Sequence, residues 1–465
     1  MVLGEALVVL LKLPLPGPVP QELHPRALEP VRTLVPGEQA LEPTHLLSNG
    51  RYTVTLRPGG AGWSRHGQTG ITRWRDDALR DAHGSFLYLR RQAGEPPVSL
   101  TSHPAPDPTA RYLAHFHTDR VVFDATWDDL RVSTTVWVSP EDDIELRQVV
   151  LHHGGDEPIE LELLSAFDVT LASHAADEAH PAFSSLFVQA DWLPAQQTLR
   201  FVRTPRLPTD GRLQAAHFVA STLGEVLELR CQTDRARWLG RHHPASQPLA
   251  DLQAAPARPE ALVTGLDPVA ALGVRLRIEP GTQACVTFAT AASDHPAQLM
   301  AIVDKYRQPS SVERASVMSA TLASIQLAPG QPRMEHLPAF QALTTALLMT
   351  LPKVDLPVPD SKAQRVCDRR SLWPLAISGD RPLVLVSAGS PQGLGLLRSV
   401  VQALNEWSRT GVACDVVVLS SEAHSYQMPL QRELALLREQ LHAPHSGVAI
   451  GALHLLRPDA LTPEQ

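Results

Sequence analysis

Ile159-Glu160-Leu161-Glu162-Leu163 alternates apolar and acidic residues with a period of two, the spacing at which successive side chains of a strand point to opposite faces. The same spacing recurs in Leu227-Glu228-Leu229-Arg230-Cys231 and in Val274-Arg275-Leu276-Arg277-Ile278. Each segment reads as a strand with one buried and one wet face. His153-Gly154-Gly155-Asp156 and Glu279-Pro280-Gly281 supply turn chemistry between such segments. No long helical pattern intervenes, so neighbouring strands are expected to pair antiparallel. The pattern runs from Leu46 to about Phe288, enough for a large sandwich.

Towards the N-terminus the composition changes. Prolines at 14, 16, 18, 20, 25, 30, 36 and 43 deny a helix its backbone donors and favour an extended linker, so residues 1–43 are set apart as a proline-rich segment. The apolar stretch Val2 to Leu13 is short of the ~20 residues that span a bilayer, and no basic region precedes it. It reads either as a secretory signal or as a severed helix, Met1 then lying inside a once longer coding sequence.

Towards the C-terminus, Leu299, Ile302, Val303 and Tyr306 form a helical stripe, followed by Val312 to Ile325 and by Phe340, Leu343 and Leu347. Residues 293–350 are therefore expected to be linker helices after a sandwich spanning 44–292. Prolines at 352, 357 and 359 mark a second linker over 351–379. The rest, 380–465, alternates strand (Leu383 to Val386), helix (Leu394 to Trp407), strand (Val416 to Leu419), helix (Leu430 to Leu441) and strand (near Val448 to Leu455). That order predicts a parallel βαβαβ sheet. Three strands make an incomplete α/β module.

The 465 residues carry 41 basic and 49 acidic side chains, a net charge of -8 spread along the chain. Such a balance gives no nucleic-acid footprint and fits a neutral substrate. Cys231, Cys285, Cys367 and Cys414 lie far apart with no CxxC pair and read as reduced core residues.

Several groups of motifs then occur in order. His45-Leu46-Leu47-Ser48-Asn49-Gly50-Arg51-Tyr52 and Gly70-Ile71-Thr72-Arg73-Trp74-Arg75-Asp76-Asp77 come first. Val138-Ser139-Pro140-Glu141-Asp142-Asp143 and Ala179-His180-Pro181-Ala182-Phe183-Ser184 follow. This set resembles the super-sandwich domain of the cellobiose and chitobiose phosphorylase family, and in detail the cyclic β-1,2-glucan synthases. Thr233-Asp234-Arg235-Ala236-Arg237-Trp238-Leu239-Gly240-Arg241, Ile377-Ser378-Gly379-Asp380-Arg381-Pro382 and the stretch around Trp407 and Tyr426 extend the resemblance over roughly residues 40 to 460.

The resemblance implies a fold that is mainly β with α and α/β additions, built on a large antiparallel β super-sandwich of the galactose-mutarotase-like kind. It also implies a multidomain inner-membrane enzyme using UDP-glucose. In that enzyme an (α/α)6 barrel carries out phosphorolysis, a carboxylic acid protonating the glycosidic oxygen while phosphate attacks the anomeric carbon. Nothing here could form twelve barrel helices, nor does the chain match the transferase and cyclisation modules. The expectation is a supporting piece, inert alone, with no cofactor and no membrane span of its own. Its implied partners are β-1,2-glucan or a gluco-oligosaccharide and the barrel, in cis or in trans. The implied location is cytoplasmic, or the cytoplasmic side of the inner membrane within a full synthase. Competing readings are an independent glucan-binding or scaffold module and a nucleotide-dependent enzyme.

Arg73, Trp74, Arg75 and Asp76 combine an aromatic face with guanidinium and carboxylate groups that can bond sugar hydroxyls. The alternative is an arginine-carboxylate network pinning a sandwich loop. Glycoside chemistry needs two carboxylates ~5–9.5 Å apart across a sugar. Glu141-Asp142-Asp143 and Asp128-Asp129 supply the groups without that geometry, because adjacent strand residues face opposite ways. His115 and His117 could share a strand face and a metal, but no third ligand accompanies them. Gly389-Ser390-Pro391-Gln392-Gly393-Leu394-Gly395 follows a strand and opens a helix, without matching a phosphate-loop or hydrolase motif.

Overall fold

The computed structural model describes residues 32–39, 42–75, 82–92, 94–205, 212–240, 243–326, 337–348, 369–389, 394–422, 429–439 and 451–462. The first strands are β1 (Arg32–Leu34), β2 (His45–Ser48), β3 (Tyr52–Leu56), β4 (Gly62–His66), β5 (Thr69–Thr72), β6 (Phe86–Arg90) and β7 (Val98–Ser99). Longer ones follow: β8 (Arg111–Phe116), β9 (Arg120–Thr126), β10 (Leu130–Val138), β11 (Ile144–His153) and β12 (Ile159–Ser173). Short helices α1 (His174–Ala179) and α2 (Pro181–Ser185) lead to β13 (Val188–Leu193), β14 (Thr198–Arg203), β15 (Gln214–Leu223) and β16 (Glu225–Asp234). Helix α3 (Arg235–Leu239), β17 (Gln253–Ala254), β18 (Glu260–Leu262), β19 (Pro268–Ile278) and β20 (Gln283–Ser293) complete the sandwich.

One sheet runs β1-β8-β9-β10-β11-β20-β15-β14-β13-β18, and the other β17-β16-β19-β12-β5-β4-β3-β2, with β6 and β7 branching from β12. The sandwich pairings are antiparallel throughout the described residues, as expected for strands that alternate one dry face with one wet. Phe116, Val121, Val149 and Leu151 of the first sheet meet Leu161, Leu163, Leu272, Val274 and Leu276 of the second in one buried core. Each such side chain contributes about 1.5–3 kcal/mol on burial. β1 lies inside the segment read as a proline-rich linker and pairs with β8.

Two departures from clean alternation occur. Glu162, on the face expected to be wet, is 5% exposed, because Arg90 and Arg230 close over it. Leu227, expected inside, is 40% exposed, since β16 slips register against β19 between Val226 and Glu228 and β17 covers only Arg230 and Cys231.

Helices α4 (Pro296–Tyr306) and α5 (Pro309–Gln326) follow the sandwich. Leu299, Ile302, Val303 and Tyr306, the predicted stripe, bury themselves against Trp137, Ile144, Leu146 and Phe218 on the outside of the first sheet. Helix α6 (Leu337–Leu348) leads to the α/β module of β21 (Leu383–Ala388), α7 (Leu394–Thr410), β22 (Cys414–Ser420), α8 (Pro429–Glu439) and β23 (Gly451–Leu456). Its three strands are parallel in the order β21-β22-β23. Cys231, Cys285 and Cys414 are free and buried, and burial pushes each thiol up to about 11. Cys367 lies outside the described residues. No helix among the described residues is long and apolar enough to cross a membrane.

Candidate functional site

Arg73 and Trp74 follow β5, where the strand leaves its pairing with the far end of β12. β12 needs a bend here. Leu171 takes φ 47° and the register shifts between Val169 and Ala172, which turns the strand towards β5 and delivers α1. Ser173 caps α1 through the Ala176 amide, and the helix presents Asp177 inward at 3% exposure.

Asp177 is the anchor of a dense ion network. Arg73 donates from Nε to Asp177 Oδ2 at 3.2 Å and from Nη2 to Asp177 Oδ1 at 3.3 Å and Ser185 Oγ at 3.1 Å. Its Nη1 lies 3.4 Å from Asp168 Oδ2 and 3.5 Å from Asp267 Oδ1. Arg75 reaches Asp177 Oδ2 at 2.6 Å, and Arg235 donates from Nε to both Asp168 oxygens at 3.1 and 3.0 Å. Burial alone would lower the Arg73 pKa, but Asp168 and Asp177 outweigh it and hold the guanidinium above its ordinary value.

Trp74 is 7% exposed. Its ring stacks at 17° on Trp63 with centroids 6.4 Å apart, and the Arg57 guanidinium lies 5.5 Å from its centre. The cavity beside Arg73, lined also by His83, Tyr88, Asp168 and Trp238, holds about 30 Å³. That admits a water or two and falls far below the ~300 Å³ at which ligand pockets begin. Arg73, Trp74 and Arg75 are thus brought together with three aspartates in a closed corner. Asp76 lies outside the described residues.

The other motifs knit turns together. Asn49 Nδ2 donates to the carbonyls of Ser139 and Asp142 at 3.0 Å each, while Asn49 Oδ1 accepts from the Tyr52 amide at 2.9 Å. Asp143 is held by Arg51 at 3.0 Å and His66 at 3.1 Å. Glu141 and Asp142 bind Lys305 of α4 at 3.1 and 2.6 Å, and Glu141 also binds Arg314 of α5 at 2.8 Å. All three carboxylates act in turns and tethers. Asp129 pairs with Arg91 at 2.6 Å. His115 takes Asp124 at 3.1 Å and Thr33 at 3.1 Å, whereas His117 lies buried past the end of β8, so the two imidazoles have different surroundings. Among the described residues no group of three or more His, Cys, Asp or Glu could hold a metal. Gly389 ends the description after β21, and residues 390–393 lie outside it.

Sequence reasoning passed over Arg90, Glu162, Arg230 and Arg275, which stand together over β6, β12, β16 and β19. For Glu162, Arg230 and Arg275 the signal was present as three strands with charged wet faces, whereas Arg90 on β6 lay outside them. What it lacked was the order in which those strands lie side by side.

A two-sheet antiparallel super-sandwich with helices packed on its outer face and its charged corners tied by ion networks defines the class. The model of the glycosyl hydrolase 94 supersandwich domain matches residues 30–309, and the chain belongs to that family. Over 430 residues it is 30% identical to the cyclic beta-(1,2)-glucan synthase NdvB of Rhizobium meliloti strain 1021. That alignment takes in 90% of this chain and 15% of the relative, so the chain spans a small part of the relative's length. Among solved structures, a bacterial glucoamylase complexed with acarbose is similar with a TM-score of 0.36 at 7% identity, covering 67% of this chain and 42% of that one. A galactose mutarotase related enzyme from Lactobacillus acidophilus gives a TM-score of 0.29 at 7% identity, covering 54% of this chain and 97% of that one.

Proposed function

We propose that this chain is a non-catalytic, carbohydrate-associated portion of a protein of the cyclic β-1,2-glucan synthase kind. In this reading the sandwich supports or binds glucan beside an (α/α)6 barrel supplied in cis or in trans. The observation that carries it is the extent of the alignment to the synthase relative, 90% of this chain, beyond the 30–309 of the sandwich family. Chemistry supports the non-catalytic part. Asp168, Asp177 and Asp267 are each engaged by Arg73, and Glu141, Asp142 and Asp143 are each engaged by a cation. The oxygens of these carboxylates are turned to the protein's own cations. Arg73, Trp74 and Arg75 serve here as a structural clamp, and a sugar would reach them only if the corner opened. Within a full synthase the chain would sit at the cytoplasmic side of the inner membrane.

The purified chain, given β-1,2-gluco-oligosaccharides and inorganic phosphate, is expected to release no glucose 1-phosphate above a protein-free blank. Sustained release would overturn the non-catalytic reading. Calorimetric titration with the same saccharides is expected to show heat at millimolar ligand, and none would remove glucan binding from the proposal.

A further inference from the structure

The solvent side of the second sheet carries a recess of about 620 Å³, inside the ~300–1,000 Å³ range of small-ligand sites. Its floor is a cross-strand row. Arg90 of β6 stands opposite Glu162 of β12, Glu162 opposite Arg275 of β19, and Arg275 opposite Glu228 of β16. Charge alternates at each step, at the ~4.8 Å spacing of paired strands.

The row is built. Glu162 receives Arg90 Nη1 at 3.0 Å on one oxygen and Arg230 Nη1 at 3.2 Å on the other. Arg230 can reach it because Gly273 stands opposite Arg230 on the intervening strand. A Cβ at 273 would lie 2.9 Å from Glu162 Oε1 and 3.0 Å from both Leu164 and Leu252. The segment Leu249 to Leu252 closes over part of this face, its carbonyls held by Arg90 (Nη2 to Ala250 O, 2.9 Å) and by Arg230. Arg91 and Gln92 border the recess as well.

Charge decides which ligand fits. The guanidiniums of Arg90, Arg91, Arg230 and Arg275 are matched by four carboxylates, Glu162 and Glu228 among them, so the described lining carries no excess positive charge to select an anion. Arg275 and Glu228 keep 43% and 34% of their side chains exposed, leaving N–H groups and lone pairs available above the floor. A hydroxyl both donates and accepts, and an arginine beside a carboxylate offers it both partners. Among the described lining residues none is aromatic, so the recognition argued here runs through hydroxyl contacts.

We propose that this recess is a saccharide subsite, binding a neutral gluco-oligosaccharide edge-on through its hydroxyls. The choice of sugar rests on the glucan reading above. The test is calorimetric titration of the full chain with sophorose and a β-1,2-linked glucopentaose, and separately with inorganic phosphate. Wild type and the variants Arg275→Gln and Glu228→Gln are compared, with melting temperatures checked. Saccharide binding at least tenfold weaker in both folded variants is the expected result. Equal binding in wild type and variants overturns the subsite while leaving the glucan reading standing. No saccharide binding by wild type removes glucan binding from the reading above, and the subsite with it. Phosphate binding that the same variants abolish would make the recess an anion site and overturn the proposal. Hydrogen exchange on the wild type gives an answer that does not depend on the variants folding: saccharide is expected to slow exchange in β16 and β19, and protection confined elsewhere overturns the assignment.

Discussion

At position 273 the sandwich depends on a missing side chain. Glycine there lets Arg230 reach across β19 to a carboxylate that Arg90 already holds, and an alanine Cβ would meet Glu162, Leu164 and Leu252 at 2.9–3.0 Å. Gly273→Ala is expected to destabilise the fold by about 1–3 kcal/mol through overpacking, read as a lower urea midpoint at unchanged slope. Two buried histidines contribute to the acid limb of stability. Burial pulls His217 down to about 3 and His45 to about 4, the first among Phe167 and Phe288, the second against Phe116. In the unfolded chain both protonate near 6.5. Above pH 6.5 both states are neutral and the histidines leave stability unchanged with pH. Below it the unfolded state binds more protons, so stability falls towards pH 4 by up to about 1.4 kcal/mol per pH unit for each histidine. His217→Asn, which keeps a donor near the Ala289 carbonyl, is expected to remove its share of that slope between pH 6.5 and 4. A variant as acid-sensitive as wild type would contradict this.

Among the elements, β12 is the organiser. Its first ten residues pair with β19, and its last five turn to β5 through Leu171, so one strand spans the recess and the Arg73 corner. The corner holds because Arg73 neutralises carboxylates on β12, on α1 and before β19. Arg73→Met leaves Asp177 buried beside Arg75 alone and is expected to cost about 3–5 kcal/mol, measured by urea unfolding. Arg73→Lys is expected to recover only part of the loss, since an ammonium cannot make the forked contact with Asp177 and Ser185. Helix α7 shows a second device. It ends in a Schellman turn, with Gly411 at φ 76°, its amide on Ser408 O and the Val412 amide on Trp407 O. The Thr410 carbonyl is left over, and the sandwich caps it with Arg65 Nη2 at 2.7 Å and Thr53 Oγ1 at 3.0 Å.

Over the whole molecule, that cap joins two cores. The sandwich core and the core of the α/β module, centred on Trp407, Val416 and Leu434, are separate clusters. Arg65 is buried over Trp63 at 5.0 Å, and burial lowers its pKa to about 10, still charged at neutral pH. A charged hydrogen bond of this kind contributes about 1.5–3 kcal/mol. In calorimetry, Arg65→Met is expected to lower the transition of the α/β module while the sandwich transition stays in place; a single transition shifting as one would count against the idea. Alternation in Ile159 to Leu163, the stripe Leu299 to Tyr306 and the βαβ order after Leu383 were enough to determine the element types, the antiparallel sandwich and the parallel tail, because each follows from local period. The closed Arg73 corner and the charged recess were decided only by tertiary structure. Local period says which face of a strand is polar, but pairing order and register determine which polar residues become neighbours, and a glycine one strand away decides whether they touch.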